Sequence, residues 1–210
     1  DQTALPVPAV VSAEAAVQHL PDTKPRWPAS ARPIVYHPLH EKALKKSGLL
    51  GFEDAMSITG DIVCGHPDRH VVRVRIGEGV SSRMVYIKRE HQVGFKNRFK
   101  NWWAGFGWAS RSEREAMMLQ ALEYDGIAAP RWLAYGSDRR HRAFLIVEEV
   151  PDSIDLRTFL AQETRSDHEL QRLAEWAGRI IADIHDAGYT TPELAAKHVL
   201  INQQDHTITL

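Results

Sequence analysis

The sequence has little of several features that mark specialised protein classes. Its 210 residues include one cysteine, Cys64, which excludes an intrachain disulfide framework and a zinc cluster built on several thiolates. No apolar run approaches the roughly 18 residues that a membrane-spanning helix needs. Lysine plus arginine number 26 and aspartate plus glutamate 27, so no global charge attracts nucleic acid or a membrane. Any such affinity must be local.

The composition that is present is that of a globular protein with a buried core, at 43% hydrophobic and 25% charged residues. Proline is distributed unevenly, since six of the 11 prolines lie within the first 33 residues. We therefore predict a proline-rich disordered leader over residues 1–33. The remaining residues must supply the folded body.

An antiparallel sheet is predicted early in that body. Residues 70–76 alternate apolar and charged side chains, Gly77-Glu78-Gly79 turns the chain, and residues 83–88 return as a second strand. Residues 57–65 indicate a further strand upstream. No helix separates these strands, which argues against a parallel arrangement.

Two helices are predicted by capping boxes, in which a serine is followed three residues later by glutamate. Ser110 opens a helix that ends near Gly126, and Ser166 opens a longer one that ends before Gly188. Two strands are indicated between these helices, at residues 130–135 and 143–150. Residues 199–201 and 208–210 indicate a closing hairpin.

This order of elements is typical of an α+β, protein-kinase-like fold, with an antiparallel-sheet N-lobe and the start of a helical C-lobe. We place the N-lobe at residues 34–150, with a hinge near 146–150, and an incomplete C-lobe with the catalytic loop at 151–210. Kinase chemistry needs a strand lysine for the phosphates of ATP and a helix glutamate that orients the lysine. Lys88 and Glu115 are the candidates, and two unrelated surface charges are the alternative interpretation.

Residues 185–201 come after the second predicted helix and contain His185, Gly188, Tyr189 and the run His198-Val199-Leu200-Ile201. They resemble the catalytic loop of the lipopolysaccharide core kinases, the family of heptose and Kdo kinases, which reads approximately His-x-Asp-Leu-x-x-x-His-Val/Ile-Leu-Ile. Tyr86-Ile87-Lys88-Arg89 resembles its strand lysine, and Ser112-Glu113-Arg114-Glu115 its helix start. Residues 126–136 and 144–149 resemble its next strand pair and its hinge. The resemblance covers roughly residues 48–210.

The resemblance implies a role for each matching residue. Lys88 would contact the phosphates of ATP and pair with Glu115, and the backbone from Glu148 to Val150 would receive adenine. His198 would bind Mg²⁺, and Glu193 stands where the family has its catalytic aspartate.

Two departures from the family pattern bear on activity. Thr191-Pro192-Glu193-Leu194 replaces the expected His-x-Asp-Leu, and a misplacement of about 1 Å at a reacting group can cost roughly 100-fold in rate. The family's second metal-binding residue, an aspartate, would follow Leu210. We therefore expect these 210 residues to be inactive by themselves.

One segment combines aromatic and basic residues between the Lys88 strand and the Glu115 helix. It could contact a membrane surface or the acceptor, stack on single-stranded nucleic acid, or simply pack its aromatics on the N-lobe while its cations face solvent. We favour docking to a glycolipid at the inner membrane leaflet. The contact residues proposed are Lys96, Arg98, Lys100, Trp102 and Trp103.

Other chemistry-bearing residues receive structural interpretations. His37 and His40 are expected to be solvated loop histidines rather than metal ligands, and Cys64 a small buried thiol. Residues 60–65 occupy the place of the kinase phosphate-covering loop without its full glycine pattern.

The function predicted is that of an ATP-dependent kinase acting on a sugar hydroxyl of a lipopolysaccharide-type glycolipid. The predicted cofactors are ATP and Mg²⁺, and the predicted partners are the sugar acceptor and the inner-leaflet surface, with no nucleic acid. The predicted location is cytoplasmic and peripheral to the membrane. A nucleotide-binding pseudokinase and a small-molecule kinase of the aminoglycoside or choline type are the alternatives.

Overall fold

A computed structural model describes residues 33–79, 82–162, 166–190, 195–204 and 207–209. The predicted leader therefore lies almost wholly outside the described residues. The chain divides into two compact units. The described residues of Thr23–Ala121 and Pro130–Glu149 form the first unit, and those of Leu122–Ala129 and Val150–Leu210 form the second.

The first unit is built on a six-stranded sheet whose neighbouring strands are all antiparallel, in the order β1-β5-β6-β4-β3-β2. The predicted hairpin is confirmed, because Val72 of the third strand faces Ile87 of the fourth. The strands are β1 (Val35–Tyr36), β2 (Asp61–His66), β3 (Arg69–Ile76), β4 (Arg83–Glu90), β5 (Trp132–Ser137) and β6 (Ala143–Glu148).

Four helices flank this sheet: α1 (Glu41–Lys46), α2 (Phe52–Ser57), α3 (Phe95–Trp103) and α4 (Arg111–Tyr124). Because side chains alternate between the faces of a strand, Ile87 and Ile146 join the core that contains α1 and α2. Leu145 and Val147 point the other way and join a core that contains Ala116 of α4. Lys88 is registered opposite Leu145, which places it on the α4 side of the sheet.

The segment expected to take the place of a phosphate-covering loop is instead a strand. Residues 61–66 form β2, and the turn into β3 comes later, at Pro67 and Asp68. Gly60 permits a close approach, since a Cβ there would lie 2.5 Å from the Arg73 carbonyl oxygen. Cys64 on this edge strand is exposed, so the expectation of a buried thiol is wrong.

The described residues of the second unit form a small three-stranded sheet and two further α-helices, α5 (Leu156–Ala161) and α6 (Asp167–Asp186). Strands β7 (Ser153–Asp155), β8 (Leu200–Asn202) and β9 (Ile208–Thr209) lie in that order. The predicted closing hairpin is confirmed by the antiparallel pairing of Ile201 with Ile208. Both side chains are buried with residues of α5 and α6, including Phe159 and Leu173.

Both predicted capping boxes are present. The Ser110 hydroxyl accepts from the Glu113 amide at 3.0 Å, and the Ser110 amide donates to the Glu113 carboxylate at 2.7 Å. Ser166 and Glu169 repeat the pattern at 3.3 and 3.0 Å at the start of α6. None of the helices within the described residues is long and apolar enough to cross a membrane.

Candidate functional site

Lys88 and Glu115 form an ion pair on one face of the large sheet. The Lys88 ammonium contacts Oε1 of Glu115, and the two side chains keep 26% and 34% of their surface exposed. The pair is therefore neither buried nor fully solvated. An ammonium in such a position is held in place and still open to an incoming anion.

The start of α4 fixes where Glu115 lies. The amide of Ser112, three residues before Glu115, donates a 2.6 Å hydrogen bond to the carboxylate of Glu90 on β4. Next to it, the buried carboxylate of Glu113 accepts from the Ser137 hydroxyl at 2.6 Å, besides capping the helix. These bonds attach the first turn of α4 to β4 and β5. Glu115 is consequently presented to Lys88 by a braced helix.

A second cation reaches the same carboxylate. Arg69, the first residue of β3, places Nη2 3.4 Å from Oε2 of Glu115. Arg69 and Lys88 therefore take different oxygens of one side chain. Sequence reasoning missed Arg69, although the register could have suggested it, because Arg69 is two residues from Val71, the partner of Lys88.

A further polar cluster lies along the same face, towards the end of β6. The Tyr86 hydroxyl donates to Oε1 of Glu149 at 2.8 Å, and Arg73 binds both oxygens of that carboxylate. Burial raises the pKa of Tyr86, and the hydrogen bond to Glu149 raises it further. Tyr86 precedes Lys88 by two residues, so both side chains lie on the same face of the sheet. Sequence reasoning missed this cluster as well.

The predicted hinge is held by backbone and side-chain bonds. The amide of Glu148 donates to the Arg131 carbonyl at 2.8 Å, and the amide of Glu149 donates to the Met84 carbonyl at 3.0 Å. The Glu148 side chain forms ion pairs with Arg83 and Arg131. Val150, the other hinge residue predicted to contact adenine, belongs to the second unit.

In the second unit, His198 ends a short 3-10 turn, Ala196–His198, and Val199 separates this turn from β8. Its imidazole is exposed, and its amide donates to the Ala195 carbonyl at 2.8 Å. Glu193 and Thr191 lie outside the described residues. The candidate catalytic glutamate therefore stays a sequence prediction.

Comparison with known proteins identifies the family. The model of the "Lipopolysaccharide kinase (Kdo/WaaP) family" matches residues 71–210, well over half of the chain. The chain belongs to this family. Its fold is accordingly α+β and protein-kinase-like, as predicted, and the matched range contains Lys88, Glu115 and His198.

No curated protein matches the chain. Among solved structures, one described as "Structure of vaccinia related kinase 3" is 15% identical, with a TM-score of 0.38. The alignment covers 75% of this chain and 52% of that one, so the chain spans about half the length of that structure.

His37 and His40 precede the segment that matches the lipopolysaccharide kinase family, and both were expected to be solvated. For His37 that expectation is wrong. His37 is 1% exposed, with its ring 4.8 Å from that of Trp132. Within the described residues, no group of three or more histidine, cysteine, aspartate or glutamate side chains is arranged to hold a metal ion.

The aromatic and basic segment folds into α3 in an unexpected orientation. Its buried side chains are polar, Arg98 at 6% exposure and Asn101 at 3%, whereas Trp103 is 79% exposed. Arg98 donates to the Trp108 carbonyl at 3.0 Å, and Asn101 donates to those of Ala109 and Ser110. The expectation that Arg98 contacts a membrane or acceptor is therefore wrong. The alternative of inward-packed aromatics fails for Phe95, Phe99, Trp102 and Trp103, which are all exposed.

Proposed function

We propose that the protein is an ATP-dependent kinase that phosphorylates a sugar hydroxyl of a lipopolysaccharide-type glycolipid. The observation that supports this most is the contact between Lys88 and Glu115 inside the range that matches the lipopolysaccharide kinase family. Phosphoryl transfer relies on a positioned lysine for the phosphates of ATP, and that lysine is oriented by a helix glutamate. The brace from Glu90 to Ser112 supports the same role.

The nucleotide phosphates are proposed to bind on the face of the large sheet that carries Lys88. The amides of Glu148 and Glu149 already donate to carbonyls of the protein. For adenine we propose the backbone from Glu148 to Val150, as the resemblance to the family implies. Tyr86 lies on the same face as Lys88, where its ring packs against the core that contains Ala116 of α4.

The remaining roles fall on the segment before β8. Glu193 is proposed to accept the proton of the attacking sugar hydroxyl, a step that requires a carboxylate within hydrogen-bond reach. His198 is proposed as one ligand of Mg²⁺, which in such reactions neutralises charge on the phosphates. The described residues do not form a complete metal site around His198. We therefore assign it no further step.

The kinase proposal is tested by phosphate transfer from radiolabelled ATP to purified lipopolysaccharide core, using the full-length protein. Lys88→Met should abolish transfer. Lys45→Met is the matched control, because Lys45 also pairs with a glutamate, Glu41, but on the exposed surface of α1. Transfer that survives Lys88→Met would contradict the proposed role of the lysine. ATP binding without turnover would favour the pseudokinase instead.

A small-molecule kinase is the other enzyme class to be separated. The exposed aromatics of α3 favour an acceptor that lies in a lipid surface over a freely soluble one. A panel of soluble aminoglycosides, choline and free sugars decides between the two. Turnover of any of these at a rate above that with lipopolysaccharide would overturn the glycolipid assignment.

We also propose that the protein works at the cytoplasmic side of the inner membrane, with α3 in contact with lipid. No acidic residue lies between Glu90 and Glu113, whereas Lys96 and Lys100 are exposed on α3. Exposed aromatics beside cations are typical of helices that lie on anionic membranes. The buried Arg98 and Asn101 attach the helix to the protein, leaving its aromatic side outward.

Vesicle sedimentation tests this contact. Binding to phosphatidylglycerol vesicles should be lost in a Trp102→Ser, Trp103→Ser double variant, and should be weak for wild type on phosphatidylcholine vesicles. Leu39→Ser plus Leu50→Ser is the control, since it removes two exposed apolar side chains, 61% and 66% exposed, outside α3. Undiminished binding of the tryptophan variant would refute the contact. Salt-dependent binding to single-stranded nucleic acid in its place would assign α3 to that partner.

A further inference from the structure

Arg69 occupies a position that the family motifs do not single out. It is the first residue of β3, directly after the turn at Pro67 and Asp68. The register pairs Arg69 with Glu90, and Val71 with Lys88. Residues two apart on a strand share a face, so Arg69 and Lys88 lie on the same side of the sheet.

The charges around Glu115 are unbalanced. Its two oxygens meet two cations, Lys88 at Oε1 and Arg69 at Oε2, so the cluster carries one formal positive charge in excess. Arg69 keeps 32% of its side-chain surface exposed. An anion arriving from solvent can therefore approach both cations.

One hydrogen-bond donor of Arg69 is unpaired. Its Nε atom is buried and has no hydrogen-bond partner among the described residues. A buried N–H without an acceptor is costly, and a ligand oxygen placed there would remove that cost. The guanidinium group offers several donors in a plane, which suits the oxygens of a phosphate group.

The turn itself supplies few backbone donors. Kinases use a glycine-rich loop between two strands to cover the phosphates of ATP. Here the corresponding turn reads His66-Pro67-Asp68-Arg69, without glycine, and Pro67 has no N–H to donate. A side-chain cation at the end of the turn can replace some of those missing donors.

We propose that Arg69 is a second phosphate-binding cation, which contacts the triphosphate of ATP beside Lys88. This inference rests on the proposed kinase function. In the absence of nucleotide, Arg69 shares the Glu115 carboxylate with Lys88. When ATP binds, the Arg69 side chain turns, and its Nε–H and exposed guanidinium nitrogen atoms donate to phosphate oxygens.

The test compares ligands with and without phosphates, using the full-length protein and calorimetric titration with ATP and adenosine. Arg69→Met should weaken ATP binding by about 10- to 100-fold, the range expected for loss of a charge-assisted hydrogen bond, while adenosine binding stays unchanged. Arg69→Lys should recover part of the loss. Arg75→Met is the control, since Arg75 lies on the same strand and is exposed, with Nη1 3.3 Å from the Ser82 hydroxyl.

The outcomes separate this inference from the kinase proposal. If wild type binds ATP and Arg69→Met binds it equally well, Arg69 is not a phosphate ligand and the kinase proposal stands. If Arg69→Met weakens ATP and adenosine equally, Arg69 acts only through the structure around Glu115, which also overturns the inference. If wild type binds no nucleotide, both proposals fail together.

Discussion

The carboxylate of Glu90, at the end of β4, accepts a 2.6 Å hydrogen bond from the amide of Ser112 in the first turn of α4. Glu90 follows Lys88 by two residues, and Ser112 precedes Glu115 by three. This bond therefore connects the strand and the helix that carry the candidate site. Both bonded residues are buried. We expect the distance between Lys88 and Glu115 to depend on it.

Replacement of Glu90 should disturb the site and the fold together. Glu90→Ala leaves the buried Ser112 amide without an acceptor, which should cost about 1.5–3 kcal/mol of unfolding free energy. ATP affinity should fall as well, because Glu115 is no longer held at Lys88. Denaturant unfolding and ATP titration measure the two effects. Glu90→Gln keeps an acceptor oxygen, so it should retain most of the stability and most of the ATP affinity. If Glu90→Gln behaves like Glu90→Ala, the negative charge of Glu90, and not the hydrogen bond, supports both.

The parts of the fold that could be predicted from sequence have local signals. Alternation of apolar and charged residues identified β3 and β4, and the serine and glutamate spacing identified the starts of α4 and α6. The Lys88 to Glu115 contact followed from a motif on each element. The short helix α2 and the three-residue strand β7 escaped prediction, because neither is long enough to show a period.

What could not be predicted depends on which side of an element faces the core. The aromatic spacing along α3 indicated an apolar face, yet nothing local says that this face is outward. The polar side of α3 faces inward because Arg98 and Asn101 donate hydrogen bonds to the carbonyls of Trp108, Ala109 and Ser110. These contacts span up to ten residues and depend on how the chain turns after α3. Arg69 was missed for a similar reason, since its approach to Glu115 joins residues 46 positions apart.

The inverted orientation of α3 makes a prediction about two of its cations. Arg98→Ala should lower the unfolding free energy by about 1–3 kcal/mol, because the Trp108 carbonyl loses its charged donor. Lys100→Ala, on the exposed side of the same helix, should change it by less than about 0.5 kcal/mol. Chemical denaturation gives both values. Equal effects of the two substitutions would mean that Arg98 does not anchor the helix.

In lipid binding, the Lys100 substitution should have a larger effect than the Arg98 substitution. Lys100→Ala should weaken sedimentation with anionic vesicles, because an exposed lysine near an anionic surface contributes roughly 1 kcal/mol. A buried arginine has no access to lipid. Arg98→Ala protein that remains folded should bind vesicles as wild type does.

A pair of histidines predicts how stability depends on pH. Nε2 of His91 lies 2.6 Å from Nδ1 of His70, and Nη1 of Arg89 lies 3.2 Å from the other ring nitrogen of His70. Burial lowers the pKa of His70, and the charges of His91 and Arg89 lower it further. The unfolded chain, with a histidine pKa of about 6.5, therefore binds this proton more readily than the folded protein. Stability should fall as the pH drops from neutral through about 6.5.

Thermal melts between pH 7.5 and 5 test that dependence. His70→Gln removes the titrating group, so its melting temperature should decline less over this range than that of wild type. His168→Gln is a control, because His168 is exposed on α6. An identical decline in His70→Gln and wild type would assign the pH dependence to other groups.

The glutamate in the catalytic-loop motif gives the sharpest prediction for the reaction. If Glu193 is the proposed base, Glu193→Gln cannot accept the proton of the acceptor hydroxyl, so kcat should fall by roughly 100- to 10,000-fold while ATP affinity is unchanged. Glu193→Asp restores the family's usual residue, and the carboxylate is then one methylene shorter. If the loop positions that residue as in relatives with aspartate, the variant should be at least as active as wild type. If Glu193→Gln and wild type turn over ATP equally, Glu193 is not the base. If wild type, Glu193→Gln and Glu193→Asp all bind ATP without turnover, the protein is a pseudokinase.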